Sequence, residues 1–428
     1  MSPAQPVGEP LPGMGELPAQ AAASAPDGSE RPFSVYLHVP YCRVRCGYCD
    51  FNTYTNLTMG QGASAEDFVG TLAGELRAAR RAMDEAGLPV RAAQTVFVGG
   101  GTPTMLPAAD LVSMLDLVRE CFGLAADAEV TTEANPDSVD EAGLAALAEG
   151  GFTRVSFGMQ SAVPHVLKVL ERTHEPARVP RVVEWARRAG LSTSLDLIYG
   201  APGESLEDWQ RSLDAVTRIG PDHVSAYALV IEEGTRMWGQ VRRGELPVPE
   251  DDDEATKYEM ADAALGQAGY EWYEISNWAR PGSECRHNQA YWLDWDWWGA
   301  GPGAHSHLGD VRLWNTKHPV AWAGQIATGH LPVAGHEVID AESRDLERIM
   351  LGIRLREGIE LASLGNRPGG PSAERPDAGR ATPPHLVPVV AGLVADGLLD
   401  GGAVLRGRAV LTLRGRLMAD TVTRALTQ

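Results

Sequence analysis

Residues 34–49 read Ser-Val-Tyr-Leu-His-Val-Pro-Tyr-Cys-Arg-Val-Arg-Cys-Gly-Tyr-Cys. Ser34–Val39 is apolar and β-branched, which reads as a short buried strand. The turn that follows places Cys42, Cys46 and Cys49 within eight residues. Three thiolates on one tight loop can hold three corners of an iron–sulfur cube. The fourth iron then stays open to a small molecule, as an open metal position does in general. The alternative is a zinc knuckle completed by His38 or a distant cysteine. Structural zinc usually pairs two CxxC units, and no second pair exists here. Five cysteines in 428 residues make no disulfide framework, so the triplet points to metal ligation in a reducing compartment.

A second strand, Thr95–Val98, runs into Gly99-Gly100-Gly101-Thr102-Pro103-Thr104. Glycines at a strand end let the backbone approach a ligand, though a plain tight turn has the same composition. Further strands are expected at Glu129–Glu133, Arg154–Phe157, Leu195–Tyr199 and Val224–Leu229. Helical spacing falls between them, at Glu66–Glu85, over Leu111, Met114, Leu115, Val118 and Phe122, and at Glu141–Ala148. Ser205 and Asp208 form a capping box ahead of Leu206, Trp209, Leu213 and Val216. Such alternation implies a parallel sheet covered by helices. Six strands are too few for a closed eight-stranded barrel, so a partial barrel or a doubly wound sheet fits.

The rest of the chain changes texture. Residues 1–31 are rich in Pro, Ala and Gly and read as a disordered tail, without the basic start and apolar run of a signal peptide. The acidic run Asp251–Glu254 suits a helix N-terminus. Tyr270–Asn315 holds seven of the 11 tryptophans. Gly365–Pro384 reads as a linker, Leu386–Leu399 as a helix and Val404–Leu413 as a hairpin. The divisions expected are 1–31 tail, 32–250 barrel, 251–340 aromatic-rich extension and 341–428 a small winged-helix-like domain. A formal charge of -20 argues against binding nucleic acid. No run of 18 apolar residues suggests a membrane span, and a cytoplasmic location is expected.

Polar or Gly residues recur at the C-terminal ends of successive strands: Gly99 to Thr102, Glu133 with Asn135, Gln160, Asp196, and Tyr227 with Ala228. That rim is where parallel α/β barrels keep their sites. YLHVPYCRVRCGYCDF, VGGGTPTML, EANPDSV, SFGMQS and LDLIYGAPGES together resemble the radical S-adenosylmethionine superfamily, and within it the oxygen-independent coproporphyrinogen III oxidase family. The resemblance covers about Phe33 to Gly309. It implies an α/β fold with a partial (β/α)6 barrel of radical SAM type. It also implies a 4Fe-4S cluster on Cys42, Cys46 and Cys49 whose open iron binds S-adenosylmethionine and cleaves it to methionine and a 5′-deoxyadenosyl radical. Position by position, Tyr36, Gly100, Glu133 and His305 match a first S-adenosylmethionine site. Tyr48, Gly101, Thr102, Gln160, Arg172, Asp196 and Ala228 match contacts to a second molecule.

The branch matters. Oxidases of that family carry a fourth cysteine where this chain has Phe51, and an ordered N-terminal extension where it has the Pro/Ala tail. CDFN and Cys285-Arg286-His287-Asn288-Gln289-Ala290-Tyr291-Trp292 instead resemble the HemW-type haem-chaperone branch. His287, Asn288, Tyr291 and Trp292 then fall in a motif linked to haem. An imidazole suits haem iron, and aromatic surface suits its ring. Trp295, Trp297 and Trp298 lie close by, and Cys285 is a rival ligand if the segment is extended. Aromatic clusters are more often simply core. The branch implies haem, a haem-accepting protein and an electron donor such as a flavodoxin or ferredoxin as partners. A transient membrane-associated partner and a homodimer belong to the same expectation. The competing activity is radical decarboxylation of coproporphyrinogen III propionates.

Overall fold

A computed structural model describes residues 7–23, 30–365 and 382–427. The alternation expected from sequence is there. In chain order it runs β1 (Phe33–Val39), α1 (Phe68–Glu85), β2 (Ala93–Gly100), α2 (Ala108–Cys121), β3 (Leu124–Ala134), α3 (Glu141–Glu149) and β4 (Arg154–Gln160). Then come α4 (Pro164–Val169), α5 (Val179–Arg188), β5 (Ser192–Tyr199), α6 (Leu206–Ile219) and β6 (His223–Ala228). β1 to β6 pair in parallel in that order, as crossover helices require. The α6 capping box forms as expected: the Asp208 N–H donates to Ser205 Oγ at 3.1 Å and the Ser205 N–H donates to Asp208 Oδ2 at 3.1 Å. Trp209, Leu213 and Val216 are buried, whereas Leu206 at the first turn is exposed.

Strand alternation sorts the six strands into two faces. Val35, Leu37, Val96, Val98, Val155, Phe157, Leu195, Leu197 and Val224 belong to the apolar core with Leu72, Leu76, Met114, Val118 and Val182 of the covering helices. The alternate positions line a cavity, and most are polar: Tyr36, Thr131, Glu133, Arg154, Ser156, Ser194, Asp196, His223 and Ser225.

The aromatic-rich segment is not a separate extension. After α7 (Arg236–Arg242) and α8 (Asp251–Gln267), strands β7 (Glu271–Glu274) and β8 (Asn277–Ala279) join the sheet antiparallel beyond β6. The chain then crosses through α9 (Arg286–Trp292) to the opposite edge, where β9 (Asp296–Ala300) pairs in parallel with β1. β10 (His305–Leu308), β11 (Val311–Asn315), α10 (Pro319–Ala327) and β12 (Val333–Val338) follow. One 12-stranded sheet results, ordered β12-β11-β10-β9-β1-β2-β3-β4-β5-β6-β8-β7. Trp272, Trp278, Trp297, Trp298 and Trp314 lie on its flanking strands.

The described part of the tail is packed. Glu9 and His336 exchange backbone hydrogen bonds at 3.0 and 2.8 Å, Ala21 is buried, and the Leu331 N–H donates to Met14 O at 3.0 Å. The segment therefore covers the edge strand β12, which would otherwise present unpaired backbone groups. Residues 1–6 and 24–29 of that expectation, and 366–381 of the expected linker, lie outside the described residues.

The C-terminal unit contains α11 (Ala341–Gly352), β13 (Ile359–Glu360), α12 (Val387–Ala395), α13 (Gly401–Leu405), β14 (Arg408–Ala409), α14 (Leu413–Leu417) and α15 (Ala419–Thr427). It has its own core around Ile353, Leu386, Val390, Leu393 and Val422. The expected hairpin over Val404–Leu413 does not form. Residues 401–405 are helical, and β14 pairs with the distant β13 instead. Arg416 pins the unit to the sheet with both Nη atoms 2.8 Å from Asp262 and its guanidinium 4.4 Å above Trp272. No helix among the described residues is long and apolar enough to cross a membrane.

One buried carboxylate holds the β9–β12 flank to the barrel. Glu75 of α1 accepts from the Gly301 N–H at 2.9 Å, Asn315 Nδ2 at 2.6 Å and Trp322 Nε1 at 2.8 Å. Glu75→Ala would orphan the buried Gly301 and Trp322 N–H groups, while Asn315 Nδ2 keeps Gly301 O at 2.9 Å, and a loss of about 3 kcal/mol is expected. Burial raises the Glu75 carboxyl to about 7 against its partners' hydrogen bonds. The folded chain thus keeps this proton longer than the unfolded one. The resulting stability is complete below the ordinary value of 4.5 and is lost as pH rises through about 7. Glu75→Gln should therefore be less stable overall yet decline less steeply between about pH 5 and 8. Urea midpoints across that range check this, and parallel pH slopes for parent and variant would contradict it.

Candidate functional site

The inner face of β1 to β6 encloses a cavity of about 610 Å³. Its rim is built first by the cysteine loop. The Cys42 N–H donates to Tyr54 O at 3.0 Å and the Tyr54 N–H to Pro40 O at 2.7 Å, which closes the loop at its base. Asn52 then anchors the exit, donating from Nδ2 to Pro302 O at 2.9 Å and Lys317 O at 2.8 Å. The glycine turn runs hard against this loop: the N–H groups of Gly101 and Thr102 donate to Val39 O and Tyr41 O, each at 2.8 Å. A Cβ on Gly101 would lie 2.6 Å from Tyr41 O, and Gly100 has φ +108. Here the glycines are required by close approach and by left-handed backbone.

All three cysteines face the cavity. Thr102 Oγ1 lies 3.8 Å from Cys42 Sγ, and Arg172 Nη1 lies 3.6 Å from Cys46 Sγ. Donors of this kind stabilise metal-bound thiolates. Burial pushes the Cys42 thiol up to about 11, so a bound cation is what would hold it deprotonated. Among the described residues no three His, Cys, Asp or Glu side chains converge as a single metal ion requires. A cube takes each thiolate on a different iron and suits a wider spacing. The residues present fit a 4Fe-4S cluster.

Behind the rim, Glu133 Oε2 accepts the Gly100 N–H at 3.0 Å. Burial, and then the charge of Asp196, push the Glu133 carboxyl up to about 7. Asp196 accepts from Ser156 Oγ at 2.9 and 3.0 Å, while burial raises its carboxyl too. Arg172 donates to Gly158 O at 2.8 Å and Asn135 Oδ1 at 2.5 Å. Gln160 sits at φ +60, at the bend that ends β4. Tyr36, Tyr48, Gly100, Gly101, Thr102 and Ala228 complete this wall. Val44, Phe51, Tyr227 and Val230 are exposed at the mouth.

At the opposite end α9 forms the floor. Glu129 holds it: its carboxylate accepts the N–H of His287 at 3.0 Å, the N–H of Arg286 at 3.1 Å and the Cys285 thiol at 3.4 Å, and lies 3.3 Å from Arg154 Nη2. His287 is 1% exposed, stacks on Phe97 with ring centroids 5.1 Å apart, and lines the cavity. Thr95 Oγ1 donates to Ser34 Oγ at 2.9 Å, so it accepts from His287 Nδ1 at 2.7 Å. The imidazole therefore carries its proton on Nδ1, and Nε2 accepts the Tyr291 hydroxyl at 3.0 Å. Burial lowers His287 to about 3, which keeps it neutral. A neutral imidazole whose Nδ1–H is held by a partner is the form that ligates iron.

The segment is helical, so the extended geometry that made Cys285 a rival does not hold. Cys285 precedes α9, and burial together with Glu129 pushes its thiol up, away from the thiolate. Asn288 and Tyr291 face the cavity with His287. Trp292 does not, because five residues along a helix turn it well off the His287 face. Trp295, Trp297 and Trp298 are likewise outside, and the aromatic surface is Tyr36, Phe97 and Tyr291 instead. His305 also misses the cavity. It lies exposed on β10, 6.2 Å from the Trp314 ring. The deeper layer of Thr95, Glu129, Thr131, Arg154, Ser156, Ser194 and His223 is not singled out by any motif in the sequence. Its signal was alternation within RVSFG, SLDLI and HVSAY, polar at every second position.

The chain is similar to known proteins along most of its length. The family model of the radical SAM superfamily matches residues 36–216. Over 417 residues the chain is 48% identical to the heme chaperone HemW of Mycobacterium tuberculosis H37Rv, covering 97% of each chain. It is 37% identical over 296 residues to the heme chaperone HemW of Escherichia coli K12, covering 67% of this chain and 75% of that one. The coproporphyrinogen III oxidase HemN of Escherichia coli, a radical SAM enzyme, shares the fold with a TM-score of 0.77 at 24% identity, over 96% of this chain and 92% of that one. A cysteine-rimmed barrel with a histidine floor and near-full-length identity of this order lead to one assignment: the chain belongs to the HemW family of radical SAM proteins.

Proposed function

We propose that this chain is a haem chaperone that takes haem into the barrel cavity and passes it to a haem-accepting protein of respiration. One observation carries the reading. The cavity bounded at its rim by the cysteine triplet is floored by His287, whose Nδ1–H is held by Thr95 and whose Nε2 meets the hydroxyl of Tyr291, itself a lining residue. Haem iron would take Nε2 in exchange for the Tyr291 hydroxyl. Tyr36, Phe97 and Tyr291 would meet the ring. Asn288, beside them, offers an amide to the same ligand.

At the rim, Cys42, Cys46 and Cys49 would hold the cluster, and Glu133 with the Gly100 turn would receive the amine of S-adenosylmethionine. A 4Fe-4S cluster with an open iron supplies electrons and a coordination position there. Tyr48, Gly101, Thr102, Gln160, Arg172, Asp196 and Ala228 offer contacts for a second S-adenosylmethionine. Exposed Arg43 on the cysteine loop suits an acidic electron carrier of the flavodoxin or ferredoxin kind. Cytoplasmic residence, a homodimer and a transient membrane-associated acceptor belong to the same proposal. Phe51, apolar and exposed at the mouth, supports chaperoning over propionate decarboxylation.

Two measurements test the reading. In an anaerobic titration of the cluster-reconstituted protein followed in the Soret band, haem should bind saturably, and His287→Ala should abolish this. Retention in the variant would remove His287 as the ligand, and absence of binding in the parent would defeat the chaperone reading. Separately, Cys42→Ala, Cys46→Ala and Cys49→Ala should each strip stoichiometric iron and acid-labile sulfide. Anaerobic incubation of the parent with coproporphyrinogen III, S-adenosylmethionine and a reductant should yield no decarboxylated product. Turnover there would favour the oxidase reading.

A further inference from the structure

The cavity floor holds a cation with an unused donor. Arg154 is 5% exposed. Its Nη2 donates to Ser283 O at 2.8 Å and Glu284 O at 3.2 Å, and lies 3.3 Å from Glu129. Its Nη1 is buried and has no hydrogen-bond partner among the described residues. Thr131 pairs with Arg154 in the β3–β4 register, and its buried Oγ1 also has no partner among them. Both residues line the cavity. A buried donor without an acceptor costs about 1–3 kcal/mol, and more when charged. Two such groups in register on one wall point to an acceptor brought in by a ligand. A guanidinium edge beside a hydroxyl matches a carboxylate.

We propose that Arg154 Nη1 and Thr131 Oγ1 bind a side-chain carboxylate of the porphyrin whose iron is delivered to His287. The inference rests on the haem reading above and adds a second anchor to it. Glu129 joins the two anchors, since Oε1 accepts the His287 N–H while Oε2 faces Arg154. It balances the Arg154 charge without using Nη1, so the site selects by hydrogen bonding as well as by charge. Higher in the cavity, Glu133 and Asp196 present acid groups that offer a carboxylate no such welcome. The carboxylate of S-adenosylmethionine belongs at the rim. Thr131 lies two residues deeper along β3 than Glu133, about 7 Å by strand geometry.

The test compares haem with its dimethyl ester, which keeps the iron and ring and lacks the free carboxylates. The full-length, cluster-reconstituted parent should bind haem at least about tenfold more tightly than the ester, the value of one charge-assisted hydrogen bond. Thr131→Val should narrow that ratio several-fold, and Arg154→Lys should bring it close to one. A purely structural role for Arg154 would weaken both ligands together and leave the ratio as it was. Equal affinities in the parent would overturn the carboxylate site and leave the chaperone reading intact. Failure of either porphyrin to bind saturably would overturn both. S-adenosylmethionine binding is read in parallel. If the variants weaken it while the haem-to-ester ratio stays at the parent's value, the carboxylate is that of S-adenosylmethionine and the proposal falls. Should Arg154→Lys not fold by circular dichroism, Thr131→Val and the ester comparison decide the matter.

Discussion

Four groups converge on the Glu129 carboxylate: two backbone N–H groups, a thiol and a guanidinium. Without it the crossing from β8 to β9 would leave α9 poorly held, since a helix of seven residues has little apolar face of its own. With it, that helix becomes the floor of a half-open barrel. Everything said of His287 depends on this attachment. The carboxylate sets where the helix begins, the helix sets which way the imidazole faces, and Thr95 sets which nitrogen carries the proton. A buried charge is costly unless it is paired and fully bonded, and here every partner is a donor.

The six parallel strands carry two messages at once. Read at one parity they are Val, Leu and Phe, which pack against the helices and make the core. Read at the other they are Ser, Thr, Asp, Glu, Arg and His, which a closed barrel would have to satisfy within itself. A partial barrel has room for a ligand to share that burden. Ser156 with Asp196 and Ser194 with His223 are satisfied internally, the latter at 2.8 Å. Others, like Thr131, are left for what the cavity receives.

Much of this was legible beforehand, and the reasons differ by element. Periodicity and caps are local, so the alternation and the Ser205 box could be read from the chain. The cysteine triplet is likewise local. The flanks were not legible, because strands of three to five residues carry little periodicity of their own, and β8 and β9 dock on β6 and β1 from far along the sequence. Nothing local marks Glu75 as the tie between α1 and the β9–β12 flank. His305 and Trp292 illustrate a different limit: a motif gives neighbours in sequence, while the turn of α9 and the face of β10 decide which of them look inward. Residues 7–23 resemble a tail by composition, yet an unprotected edge strand supplied a place for them to bind.

The closed floor has a consequence for traffic. With α9 sealing one end, the exposed lining residues all lie at the other, beside the cysteine loop. The widest exposure of the cavity is therefore at the rim. A molecule seated on His287 has to enter past the rim, and one seated at the rim then stands in its way out. Occupants of such a space keep a queue in which the last to arrive is the first to leave. On the proposed haem reading, a molecule held at the glycine turn would bar the way out for one held on His287, and the inner one would leave only after it.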